Sequence, residues 1–162
     1  MSGRGRCGFH SPALLGVAGA ALAQGSGPVI VDLSTLSANL ELSVRFKAVA
    51  STVDEAGGIV LRLSTPDDYY VARANALEDN VRFYRVVKGG REQLAGADLK
   101  VSANQWHTLT LRAEGERFTV SFDGNALFSA QDGNFRDAGK VALWTKADSV
   151  TYFDTISITS LE

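Results

Sequence analysis

The chain has 162 residues, room for one domain with a buried core but not for two. Its 16 Lys+Arg against 18 Asp+Glu give a formal net charge of −2, which excludes a general nucleic-acid binder or a polybasic membrane-surface protein, since either needs clustered excess cation. One cysteine, Cys7, and two histidines, His10 and His107, exclude an intrachain disulfide framework, a thiolate zinc cluster and a multi-histidine metal centre.

The N-terminal segment carries Arg4 and Arg6 with no acid, then an uncharged, mildly apolar run from Ser11 to Ala23 that ends Ala21-Leu22-Ala23 before Gln24. This is the layout of a secretory signal peptide over 1–23, too short to span a bilayer, and no transmembrane segment is expected. The alternative is an irregular first strand of the domain. Cleavage would remove Cys7 and bring the net charge to about −4, leaving 24–162 as a single domain in a secreted or periplasmic protein.

From Val29 onward, β-rich runs alternate with turn residues, the spacing of an all-β sandwich or barrel. The pattern predicts strands over 29–33, 40–49, 58–64, 69–76, 80–87, 92–94, 107–113, 118–122, 126–130, 140–146 and 149–159. Leu40, Leu42, Val44 and Phe46 alternate with Glu41, Ser43, Arg45 and Lys47, the period of two that buries one face of a strand. Asp123-Gly124 is a strong hairpin signal, because glycine accepts the positive φ of a tight turn; Lys88-Gly89-Gly90 and Glu114-Gly115-Glu116 read as two further hairpins. Consecutive hairpins exclude βαβ folds, and no phosphate-cradling glycine motif occurs.

The middle strands point to a binding face. With Ile59, Leu61 and Leu63 turned to the core, Val60 and Arg62 face outward; burying Arg73 and Asn75 without partners would cost several kcal/mol, so they face outward too. Val81, Phe83 and Val87 take the core and leave Asn80, Arg82 and Tyr84 outside, while Val141 and Leu143 leave Trp144 and Lys146 outside. Arg62, Arg73, Asn75, Arg82, Tyr84, Trp144 and Lys146 then share one sheet face. Aromatic rings beside fork-shaped donors suit a sugar, whose C–H face stacks while its hydroxyls or carboxylates take hydrogen bonds. The plainer alternative is a solvated sheet face.

Weaker constellations accompany this face. Glu78 in the Glu78-Asp79 turn, the lone His107 and Asp148 are the candidates for acid–base chemistry, and Asp148 with Asp154 for a calcium ion, although calcium wants six or more oxygens. No cofactor is predicted.

The run from Gly57 to Arg62, the run from Asp68 to Tyr84, Gly89 with Arg91, Gln105-Trp106-His107, Phe122-Asp123-Gly124 and the run from Gly139 to Ser149 resemble, in that order, the laminin-G/concanavalin-A-like jelly-roll domains of bacterial exported proteins. Within these they look closest to the DUF1080 or 3-keto-disaccharide hydrolase group. The resemblance implies a two-sheet antiparallel jelly-roll sandwich with a concave face that deals with oligo- or polysaccharide in the bacterial envelope. Relatives usually carry another strand ahead of Val29. The paired acids of retaining glucanases, E-x-D-x-x-E or E-x-D-x-E, are absent. Three functions follow as expectations: an exported carbohydrate-binding domain; a small hydrolase or lyase of 3-keto-glycosides; and a module that uses the same face to bind an envelope protein. The oligomeric state is left open.

Overall fold

The computed structural model describes residues 27–34, 37–50, 56–146 and 150–161; the proposed signal segment lies outside them. Eleven strands form in chain order: β1 (Gly27–Ser34), β2 (Leu40–Ala50), β3 (Ala56–Thr65), β4 (Asp68–Asn75), β5 (Asn80–Val87), β6 (Gly90–Asp98), β7 (His107–Glu114), β8 (Arg117–Phe122), β9 (Asn125–Gln131), β10 (Lys140–Thr145) and β11 (Val150–Ser160). They build two antiparallel sheets, the two-sheet sandwich that the family resemblance implies, in the orders β1-β10-β3-β4-β5-β6 and β11-β2-β7-β8-β9.

Alternating side chains explain the layers. Leu40, Leu42, Val44 and Phe46 of β2, Leu109 and Leu111 of β7, and Phe118, Val120 and Phe122 of β8 turn inward from the five-stranded sheet. They meet Ile59, Leu61, Tyr70, Ala72, Val81, Phe83, Val141 and Leu143 of the other sheet, in one core. Tyr70, Phe83 and Phe118 form its aromatic centre, with ring centroids 4.5 to 5.8 Å apart. The hairpin signals hold: Lys88 and Gly89, like Asp123 and Gly124, both have positive φ, the two-residue turn whose twist matches the flanking strands. Strand β6 runs well beyond the predicted 92–94, because an edge strand needs one ladder and little apolar alternation to form.

The parity of β3 differs from the sequence expectation. Arg62 has a φ of 51°, and the β3 register shifts against both β4 and β10 around it. This bulge moves every later residue to the opposite face. Leu63, expected in the core, joins the outer cluster, and Arg62, expected outside, turns between the sheets. Its guanidinium lies 5.1 Å from the centre of the Phe118 ring and donates to the Ala38 carbonyl (3.0 and 3.2 Å) and the Phe135 carbonyl (2.8 Å). Arg62 thus ties two loops over one open edge of the sandwich. Val87, also expected in the core, is only half-buried at the strand end.

Tyr70 completes the same closure. Its hydroxyl donates to Asp132 (2.6 Å) and accepts from the Phe135 N–H (3.1 Å), while Arg85 binds the other Asp132 oxygen. Burial, then the hydrogen bond to Asp132, pushes the phenol from its ordinary 10 up to about 12. The folded protein therefore holds a proton that the unfolded chain loses, so this contribution is fully present below pH 10 and is lost as pH rises toward 12. Tyr70→Phe is expected to cost about 1–2 kcal/mol at neutral pH and to weaken the alkaline loss of stability. Urea unfolding at pH 7 and across pH 9.5–12 measures both.

Candidate functional site

Strand register places a second set of side chains on the outside of the six-stranded sheet. One row across it reads Trp144, Gly58, Arg73, Arg82, Gly96; the next reads Ala142, Val60, Val71, Tyr84, Gln93; a third contains Tyr69, Val86 and Arg91. Ala56, Val60, Leu63, Tyr69, Val71, Tyr84, Val86, Ala142 and Trp144 form a buried apolar cluster there, separate from the core between the sheets.

A cavity of about 280 Å³ opens in this face, lined by Tyr69, Val71, Val86, Gly89, Arg91, Trp144 and Lys146. Tyr69 and Trp144 supply its aromatic surface and are hydrogen-bonded to each other. Burial raises the Tyr69 phenol above its ordinary value; the Trp144 bond and the charge of Arg91 pull the other way. The rim is fixed by two turns: Asp68 accepts from the Lys88 N–H (2.9 Å) and the Asp67 carbonyl from the Gly89 N–H (3.0 Å). That tie sets the start of β6 and hence Arg91, whose guanidinium lies 4.5 Å from the centre of the Tyr84 ring.

Beside the cavity, Arg73 is buried on the same face. It donates to the Tyr84 hydroxyl (3.0 Å), Glu78 (3.3 Å) and Asn80 (3.4 Å), and its Nε has no partner. Asn80 also donates to Glu78 (3.1 Å); that bond is the main cause holding the Glu78 carboxyl below its ordinary value, against partial burial. Arg82 lies across β6, where Gly96 has no side chain to block it (a Cβ there would sit 2.6 Å from Arg82 Cδ), and reaches Asp98 at 2.6 Å.

The structure thus brings Arg73, Arg82, Tyr84, Trp144 and Lys146 to one face, with Trp144 and Lys146 in the cavity itself. Asn75 is used locally: it is fully buried and caps the following turn by accepting from the Leu77 and Glu78 N–H groups (2.9 and 3.1 Å). Arg62 belongs to the closure between the sheets, because of the bulge. Tyr69, Val71, Val86, Gly89 and Arg91 complete the lining and are not among the predicted site residues, although all but Val86 lie within the stretches that carry the family resemblance.

The acid–base and metal candidates lie elsewhere or are engaged. His107, at the start of β7, sits against Phe46 and Phe122, with Nδ1 2.8 Å from Asp123 and Nε2 2.8 Å from the Ser102 carbonyl. It belongs to the five-stranded sheet. Asp154 pairs with Arg45 at 2.8 Å, and Asp148 lies outside the described residues. Among the described residues, no group of three His, Cys, Asp or Glu side chains is placed to hold a metal.

The two tryptophans report on opposite environments: Trp144 is 5 % exposed at the cavity, and Trp106 is 40 % exposed, 4.9 Å from Arg45 and 5.7 Å from Lys47. A Trp106→Phe variant, which keeps Trp144, is expected to fluoresce at shorter wavelength than Trp144→Phe, which keeps Trp106. Acrylamide should quench the latter more strongly.

Among solved structures, the carbohydrate-binding module CBM66 from Bacillus subtilis is similar to this chain with a TM-score of 0.77 at 21% identity, over 85% of this chain and 84% of that one. The Caenorhabditis elegans galectin LEC-6 gives 0.62 at 16%, over 81% and 89%, and the Bacillus licheniformis β-glucanase 0.60 at 13%, over 81% and 69%. These likenesses show the jelly-roll fold. A search of curated proteins found no match. The sequence family described as galactocerebrosidase, C-terminal lectin domain, matches residues 29–161, and the chain belongs to that family.

Proposed function

We propose that the chain is a carbohydrate-binding domain that takes a saccharide in the cavity on the outer face of the six-stranded sheet. The observation that carries this reading is the composition of the lining: Tyr69 and Trp144 offer ring surface to a sugar C–H face, and Arg91 and Lys146 offer donors to its oxygens. About 280 Å³ is near the lower end of ligand pockets, room for a sugar ring with part of its neighbour. Membership of a lectin-domain family supports it. The domain works on glycans outside the cytoplasm, with 1–23 as an export signal and 24–162 as the mature chain, and sequencing the N-terminus of secreted material checks that division.

Hydrolysis of 3-keto-glycosides, the activity of the DUF1080 group, would need a base at the cavity. The described lining holds no carboxylate and no histidine, Glu78 is held by Arg73 and Asn80, and His107 belongs to the other sheet. Binding without turnover fits these groups better.

A glycan screen followed by calorimetry tests the reading. Trp144→Ala is expected to weaken binding of a hit about tenfold or more, in line with loss of ring stacking and of the hydrogen bond to Tyr69. Failure of any saccharide to bind, or unchanged affinity in folded Trp144→Ala, contradicts it; capture of a protein alone would favour the interaction module.

A further inference from the structure

The outer face carries more positive charge than its own acids use. Arg73 is matched by Glu78 and Arg82 by Asp98. Arg91 stands differently. It is exposed at the cavity rim and, among the described residues, its side chain makes no hydrogen bond or ion pair. Glu92, its neighbour in β6, is paired with Arg85. Asp67 supplies its carbonyl to the turn behind Gly89, and its carboxylate, near enough to act on Tyr69, is an acid at the described rim against the two cations Arg91 and Lys146.

Arg91 is held in place all the same. Its guanidinium rests over Tyr84, whose hydroxyl accepts from Arg73, so the ring that supports Arg91 is itself fixed. Stacking on an aromatic ring leaves the edge of the guanidinium fork, with its N–H donors, available to a planar anion. Lys146 adds a second positive charge on the lining, one that also acts on Glu78. Tyr69, Val71, Val86 and Trp144 exclude water from the other walls and strengthen attraction between a bound anion and these cations.

We infer that the cavity selects an anionic saccharide, a sugar bearing a carboxylate or a sulfate, with Arg91 as the group that recognises the anion. The inference rests on the carbohydrate-binding reading and adds the class of ligand. A neutral saccharide would leave the Arg91 fork facing only hydroxyls and water. An oxyanion accepts two parallel hydrogen bonds from it, the stronger, charge-assisted kind.

The test uses matched probes on the full chain: trigalacturonate against its methyl ester, and a 6-sulfated galactose disaccharide against its unsulfated form, by calorimetry at 50 and 300 mM NaCl. At least one anionic member should bind roughly ten- to hundredfold more tightly than its neutral partner, with the preference shrinking at high salt. The arm that responds tells carboxylate from sulfate. Arg91→Gln should bind the anionic member no more tightly than the neutral one, whereas Arg117→Gln, exposed on the other sheet, should keep the preference. Equal binding within both pairs, or a preference that survives Arg91→Gln, overturns the inference and leaves the saccharide reading standing. Absence of binding by all four probes and by every member of a neutral glycan screen overturns both.

Discussion

Strands β3, β4 and β5 carry apolar side chains toward both sides of one sheet, and the cavity depends on that arrangement. Inward, Ile59, Ala72 and Phe83 join the core between the layers; outward, Val60, Val71 and Tyr84 form a second cluster with Trp144 and Tyr69. A solvated outer face would alternate apolar and polar residues. Here the outward positions are apolar near β10 and cationic toward the other edge, so the proposed ligand would meet walls and charges together. The tie between the 65–68 and 88–89 turns then sets where Arg91 stands.

Much of this was legible in the sequence. All eleven strands follow from period-two runs and turn residues, their antiparallel pairing follows from the hairpins, and the division into two sheets follows from the family resemblance. The cost of burying unpaired charge places Arg73 outside, alternation with core residues places Arg82, Tyr84, Trp144 and Lys146 there, and that is the face they occupy. Arg73 shows the limit of the argument: it faces outward and is nonetheless buried, because Glu78, Asn80 and Tyr84 supply partners that no local pattern discloses.

The rest was hidden for identifiable reasons. Nothing in Leu61-Arg62-Leu63 announces a residue at positive φ, and the bulge there reverses the faces of Arg62 and Leu63. Asn75 looks like an outward binder in a strand pattern but serves as a turn cap, a role set by the two residues after it. Val71 and Val86 read as ordinary strand residues, and their part in the lining comes only from register across β4 and β5. Arg91 stands in a polar edge strand, where a charged side chain is the expected protection of an exposed ladder.

The central claim is that ligand enters the outer face beside Trp144 and Arg91. Nuclear magnetic resonance of the labelled protein tests it most directly, because the indole N–H of Trp144 and that of Trp106 give separate signals from the two sheets' surroundings. Titration with a saccharide that binds is predicted to shift the Trp144 indole and the backbone amides of Gly89 and Arg91 while leaving the Trp106 indole in place. Shifts confined to Trp106 and the five-stranded sheet would contradict the account.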